Sequence, residues 1–385
     1  MRPLVARIDL DALRHNYQLA VRCAPQSRAV AVIKADAYGH GALACAKALS
    51  AHAQAFAVAS LEEALVLRRG GIDTPIVLLE GIFSVDELAL VDAQRLWMAV
   101  HSRWQLDALL AFTPEMPIPV WLKVDSGMHR LGFAPAEIDA VWRALSAASQ
   151  VGELHLMSHF ATADATDNGY YAHQLGVVRK LARRLDAPLS LANSPATLAH
   201  PDAHGAFNRP GIMLYGSDPL EQASAASRAL EPVMTLRAEI IALRDIEPGE
   251  PVGYGGRFRA ARRSRIAVVA AGYGDGYDRH AADGTPVLVN GRRATLAGKV
   301  SMDMLTVDVS DISEARIGSE VVLWGRAENG AVLSIDEVAR HCDTISYTLL
   351  TGVLPRVPRC YHELTHHERA HHDPTPTHHG ERHQG

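Results

Sequence analysis

Short apolar runs recur along the first 216 residues: AVAVIKA (29–35), AFAVAS (55–60), PIVLLE (75–80), LWMAV (96–100), PVWLKVD (119–125), LHLMSHF (154–160), LSLAN (189–193) and PGIMLYG (210–216). Runs this continuous belong to parallel strands covered on both faces, because a half-exposed strand alternates polar and apolar positions. Between them the polar positions take a helical period, as in SLEEALVLRRGG (60–71) and SVDELALVDAQ (84–94). Ser60 with Glu63 three residues on predicts a capping box, and Gly70–Gly71 supplies the stop. Eight strands with helices between them predict an α/β fold, a (β/α)8 barrel over residues 11–230. An open doubly wound sheet is the alternative. Its dinucleotide-binding form needs a GxGxxG turn after the first strand, and AVIKADAYGHG has none.

After about residue 230 the pattern changes. VMTLRAEIIALRDI (233–246), RIAVVAAG (265–272), TPVLVNGRRATLAG (285–298) and LTVDVSD (305–311) read as strands. Turn signals at Glu247-Pro248-Gly249, Asp283-Gly284 and Asn290-Gly291 separate them and predict a mostly antiparallel β domain over 231–361. The alanine-rich stretch LEQASAASRALE (220–231) is the expected connection, and residues 1–10 are expected as a strand packed with the second domain. The tail 362–385 has no hydrophobic period and is dense in histidine, which predicts disorder without a scaffold for a metal site.

Composition narrows the function. The net charge is −5 with acids and bases interspersed, and no basic block suggests a nucleic-acid partner. No apolar run reaches membrane-spanning length, and the N-terminus is too short in apolar residues and too charged for a signal peptide. Cys23, Cys45, Cys342 and Cys360 lack paired ligand spacing, as in a reduced, cytoplasmic protein.

In a barrel, the C-terminal strand ends face the active site. The polar residues ending the apolar runs are Lys34, Glu80, Lys123 with Asp125, His159, and Asn193 with Ser194. A lysine there is also a common surface residue with a buried stem. Several such groups on one rim point to a site without naming its chemistry. A desolvated lysine suits Schiff-base chemistry with an aldehyde cofactor, since burial lowers its usual pKa of about 10.4. Gly211 in NRPGIMLYG would let backbone N–H groups approach an anion, although Pro-Gly is also an ordinary turn.

AVIKADAYGHG, VDSGMHRLGF (124–133), MSHFATAD (157–164), ANSPA (192–196), NRPGIMLYG (208–216), VGYGGRF (252–258), GYGDGYDR (272–279), GKVSMDM (298–304) and SYTLLTGVLPRVPRCY (346–361) stand in the order in which similar motifs stand in alanine racemases. The chain resembles that family from about residue 3 to residue 361. The resemblance implies a pyridoxal 5′-phosphate barrel with a β domain, acting on alanine in the cytoplasm as a homodimer with shared active sites. It implies a role in supplying D-alanine for peptidoglycan. Lys34 resembles the cofactor lysine, and Tyr254 the opposing base from a second subunit. Tyr38 and Tyr347 resemble phosphate-contacting tyrosines, with Asn193, Ser194, Gly211 and Ile212 among the remaining cofactor contacts. His159 resembles the residue against the pyridine ring, linked to Arg209. Arg130 and Met302 resemble groups that hold the substrate carboxylate, Tyr273 the entrance tyrosine, and Asp303 a substrate-side acid. Lys123 resembles a lysine that can be carbamylated.

The implied chemistry asks for these residue types. Racemisation removes an α-proton from one face and returns one to the other, so two opposed bases are the simplest solution. An arginine facing the pyridine nitrogen, in the place of Arg209, does not readily donate a proton, which weakens the electron sink and disfavours transamination. Ser301 stands where cysteine is common and Thr348 where an acid is usual. Competing readings are a racemase of broader specificity, a non-catalytic pyridoxal phosphate carrier, and a decarboxylase on a related barrel.

Overall fold

The first strand does not enter the barrel. In the computed structural model, which describes residues 2–165 and 169–363, β1 (Leu4–Asp9) turns at Asp9 into the helix Leu10–Cys23. The Asp9 carboxylate caps this helix, accepting from the N–H groups of Asp11 and Ala12 at 3.0 and 2.9 Å. Two of the donors that a helix start leaves open are thereby satisfied. Residues 364–385 of the His-rich tail lie outside the described residues.

Eight parallel strands then close into a barrel: β2 (Arg28–Val32), β3 (Ala55–Val58), β4 (Ile76–Leu78), β5 (Trp97–Val100), β6 (Ile118–Lys123), β7 (Val151–Met157), β8 (Leu189–Ser190) and β9 (Phe207–Asn208). The last closes on the first through Arg28 opposite Phe207 and Ala29 opposite Asn208. Both faces of β3 are buried along its whole length, the burial that makes such a strand continuously apolar. Rings and one cation fill the N-terminal part of the barrel: Trp121, His155 and Trp97 pack 5.2, 5.0 and 6.0 Å from Phe207, and the Arg28 guanidinium lies 3.9 Å from the same ring.

Two local expectations need correction. The eighth strand is Phe207–Asn208, and the apolar run 210–216 instead forms a 3-10 turn, Ile212–Tyr215. Pro210 lacks an N–H for a ladder, and the run is apolar because the turn is wholly buried. Ser60 does stand at the helix N-cap, but its side chain makes no capping bond. Glu63 turns away from a capping box, and its carboxylate accepts from the N–H groups of Ala59 and Ala35 at 2.7 and 2.6 Å. The predicted stop holds, with the helix Leu61–Arg69 ending at Gly70.

The second region contains β10 (Met234–Ile246), β11 (Pro251–Val252), β12 (Phe258–Arg259), β13 (Ser264–Val269), β14 (Pro286–Val289), β15 (Arg292–Leu296), β16 (Leu305–Asp308), β17 (Glu320–Arg326), β18 (Val332–Leu333) and β19 (Arg359–His362). Except for the small β11–β12 hairpin, these join β1 in a nine-stranded sheet ordered β18-β17-β14-β15-β16-β13-β10-β1-β19. β17 pairs with both β14 and β10, so the pairing returns on itself. Only β1 with β19 is parallel. Asn290 and Gly291 join β14 to β15 with φ of 48° and 75°, the left-handed pair that a two-residue hairpin requires. The stretch 220–231 crosses between the two regions with one 3-10 turn, Ser227–Ala229. Among the described residues no helix is long and apolar enough to cross a membrane. All four cysteines are free.

Candidate active site

The strand carrying the first candidate ends before it. β2 stops at Val32, and Lys34 opens a turn in which Ala35, Asp36, Ala37 and Tyr38 all have φ of 52–53° and ψ of 41–51°. Four consecutive non-glycine residues in the left-handed region cost about 1–2 kcal/mol each, so the surroundings must impose the geometry. Glu63 takes the Ala35 N–H, and the Asp36 carboxylate takes the Ala42 N–H at 2.7 Å. His40 Nδ1 lies 2.9 Å from the carbonyls of both Ala37 and Tyr38, so that nitrogen carries the proton and donates. Burial pulls the His40 pKa down to about 4, which keeps the ring neutral in this role. The result fixes Lys34 at the rim and packs the Tyr38 ring 4.8 Å from Tyr215 and 5.9 Å from Tyr347.

A cavity of about 650 Å³ opens at this end of the barrel. Lys34, Tyr38, Lys123, Arg130, His159, Asn193, Ser194, Arg209, Gly211, Ile212 and Tyr347 line it together. Ser194 begins a short helix capped by the Asn193 carboxamide oxygen, which accepts from the Ala196 N–H at 3.2 Å. The Ser194 hydroxyl oxygen accepts from the N–H groups of Gly211 and Met213 at 2.8 and 3.2 Å, leaving its own proton to donate. A Cβ on Gly211 would stand 2.7 Å from the Tyr38 hydroxyl, so glycine keeps this corner open. Hydroxyls and backbone meeting in one corner form a small concave surface suited to an anion.

Charge in the cavity is unbalanced. Lys34, Lys123, Arg130 and Arg209 line it, with Glu80 as the one carboxylate among its lining residues. Burial lowers the Lys34 pKa, Arg130 and Arg209 add to that effect, and Glu80 and Glu63 oppose it. Burial brings Lys123 down to about 8, again with Arg209 and Arg130 contributing. Arg209 is buried and donates to the Ser190 carbonyl and hydroxyl at 2.7 and 2.6 Å and to the Ser158 carbonyl at 2.7 Å. These acceptors are all neutral, and burial lowers its pKa to about 10, still leaving it a cation at neutral pH. His159 is driven well below its ordinary value by burial and by the surrounding cations, Arg209 first among them, and is therefore neutral.

Four expected residues do not line the cavity. Tyr254 is 66% exposed at the tip of the β11–β12 hairpin, in the turn Tyr254–Gly256, and Met302 is 54% exposed. Tyr273 is half-buried under the Arg279 guanidinium, 5.3 Å from its ring, and Asp303 pairs with Arg356 at 2.6 Å. Glu63 reads from the sequence only as a capping-box residue, because its acceptor role beside the site depends on a turn 28 residues away. Glu80 was visible as a polar strand end, but nothing local showed that it would be the cavity's carboxylate.

Two family descriptions match the chain: "Alanine racemase, N-terminal domain" over residues 8–219 and "Alanine racemase, C-terminal domain" over residues 233–361. An alanine racemase of Chromohalobacter salexigens is 69% identical, with 94% of this chain and 98% of that protein covered. The crystal structure of the biosynthetic alanine racemase from Pseudomonas aeruginosa superposes with a TM-score of 0.90 at 52% identity, covering 94% of this chain and all of that one. The structure of a Bartonella henselae alanine racemase with covalently bound pyridoxal phosphate gives a TM-score of 0.84 at 28% identity, covering 94% of this chain and 100% of that one.

Proposed function

The chain belongs to the alanine racemase family, and we propose on that premise that it interconverts L- and D-alanine using pyridoxal 5′-phosphate, in sites shared between two copies of the chain. One observation carries the reading: an amine with a lowered pKa, a hydroxyl-and-backbone anion corner and a carboxylate-free buried arginine converge on a single cavity.

The residues fit the cofactor. Lys34 supplies the amine, while Tyr38, Ser194, Gly211, Ile212 and Tyr347 surround the corner open to a phosphate, with Asn193 building its helix start. When bound, pyridoxal phosphate supplies the electron sink that acidifies the α-carbon of an amino acid. Lys34 Nζ, its pKa lowered by desolvation, takes or returns the α-proton on one face. The Tyr254 hydroxyl of a second copy serves the other face. Its exposure on a glycine-rich hairpin suits a residue that enters a neighbouring site. Arg209, already donating to four neutral oxygens, keeps its proton and withholds it from the cofactor ring nitrogen, with neutral His159 beside it. Arg130 offers a cation to the substrate carboxylate, and Met302, Tyr273 and Asp303 complete the entrance from the second copy. Lys123 at about 8 has an appreciable neutral fraction at physiological pH, as carbamylation by carbon dioxide requires.

The test is exchange of the α-proton with solvent deuterium for each alanine enantiomer, run beside a panel of other amino acids. Both alanine enantiomers should exchange and interconvert, and Lys34→Ala should lose the cofactor absorbance along with activity. Absence of exchange with alanine would overturn the reading.

A further inference from the structure

Three of the four residues outside the cavity of their own chain, Tyr273, Met302 and Asp303, sit on two loops that a single buried carboxylate joins. Asp275 is completely buried. Both Arg2, from the start of the chain, and Arg356, near its end, pair with it, Arg356 through Nε at 2.6 Å. The Gly272 N–H donates to its second oxygen at 2.8 Å, closing the turn that presents Tyr273. Both arginines also reach the other loop. Arg2 Nη2 donates to the Asp303 carbonyl at 2.8 Å, and Arg356 Nη2 donates to the Asp303 carboxylate at 2.6 Å. Backbone bonds run alongside: Tyr273 N–H to the Ser301 carbonyl at 3.0 Å and Gly274 N–H to the Met302 carbonyl at 2.8 Å. Burial alone would raise the Asp275 pKa, but the donors from Arg2, Arg356 and Gly272 outweigh it and hold the carboxylate ionised.

The hairpin bearing Tyr254 is fastened elsewhere. Arg257 pairs with Asp283 at 3.1 Å and donates to the carbonyls of Ala281 and Gly298 at 2.9 and 3.1 Å. Tyr254 thus has an ion-pair anchor of its own at Asp283, distinct from the Asp275 bridge that holds Tyr273, Met302 and Asp303, although Arg257 also reaches Gly298 at the start of the stretch leading to Met302.

We propose that Asp275, bridged by Arg2 and Arg356, is a positioning residue that locks the Tyr273 loop and the Met302–Asp303 loop into one rigid unit serving the substrate site of a second copy. The inference rests on the shared-site reading above. Removing the charge at Asp275 loosens the unit that receives substrate while leaving Lys34, the cofactor corner and the Tyr254 anchor intact. The defect therefore belongs in KM, and it acts on the neighbouring site and not on the barrel of the same chain.

Asp275→Asn should raise KM for alanine about tenfold, within the penalty expected for an ångström-scale misplacement, with kcat per bound cofactor changed less than threefold and cofactor absorbance retained. Heterodimers of Asp275→Asn with Lys34→Ala, purified through two different tags, should return to the wild-type KM, because the working barrel then receives intact loops from the Lys34→Ala copy. A heterodimer that keeps the raised KM, or an Asp275→Asn homodimer with wild-type KM, overturns the proposal. Lys34→Ala paired with Tyr254→Phe is the control for shared sites. Its recovery of activity upholds the premise, and its failure removes premise and proposal together. Should Asp275→Asn not fold, Arg356→Gln cuts the same bridge from a half-exposed position and carries the same expectations.

Discussion

Lys123 shows at the scale of one residue how the site opposes its own fold. Its pKa falls from 10.5 in an unstructured chain to about 8 in the cavity, chiefly through burial. Below pH 8 both states hold the proton, so the folded state bears the full penalty of a buried cation. Between pH 8 and 10.5 the unfolded chain binds more protons, and stability rises with pH until the penalty is gone. The shift corresponds to on the order of 3 kcal/mol. In cofactor-free protein kept free of bicarbonate, Lys123→Met should raise stability toward denaturant at pH 7, and that gain should shrink to nothing by about pH 10.5. A constant difference across the range would contradict the assignment. Replacing Lys123 should also lower activity, since the residue lines the cavity together with Arg130.

Among elements, the left-handed turn 35–38 makes the sharpest prediction. Glycine in an ordinary helix costs about 1 kcal/mol relative to alanine, whereas in a left-handed turn it relieves a penalty of about 1–2 kcal/mol. Ala35→Gly should therefore stabilise the cofactor-free protein in chemical denaturation, the reverse of the usual sign. Glu63→Ala removes the acceptor for two backbone N–H groups and should destabilise by about 1–3 kcal/mol while weakening cofactor retention, followed by absorbance during dialysis. Neither effect is legible in the sequence. Ala-Asp-Ala-Tyr contains no glycine to announce positive φ, and one of the groups that hold the turn, Glu63, comes from another helix. The barrel strands were legible because burial on both faces leaves a one-dimensional mark, as in AFAV at 55–58. The same mark misplaced the eighth strand, since a buried 3-10 turn is as apolar as a buried strand. Lys34, Tyr38, Ser194, Arg209 and Gly211 could be read as candidates from motifs, but their convergence on one cavity is a property of the folded chain.

At the scale of the whole molecule, one chain holds Lys34, Tyr38, Ser194 and Arg209 in its cavity while Tyr254 and Met302 stand exposed outside it. Specific activity should fall on dilution in step with the dimer fraction measured by analytical ultracentrifugation, and activity that stays constant down to monomer would exclude shared sites. The strand β1 has a different consequence. It lies between β10 and β19, with Leu4 opposite Ala238 and Asp9 opposite His362. β1 must therefore wait for β19, which follows it in the chain by the whole barrel and the rest of the sheet, before both its edges are covered. A gene cut at the crossover would leave the N-terminal fragment with an orphan strand and the C-terminal fragment with an open seam. The two regions should not express as independent soluble pieces, whereas a permuted chain that starts at residue 10 and carries β1 behind β19 should need a linker long enough to return beneath the sheet.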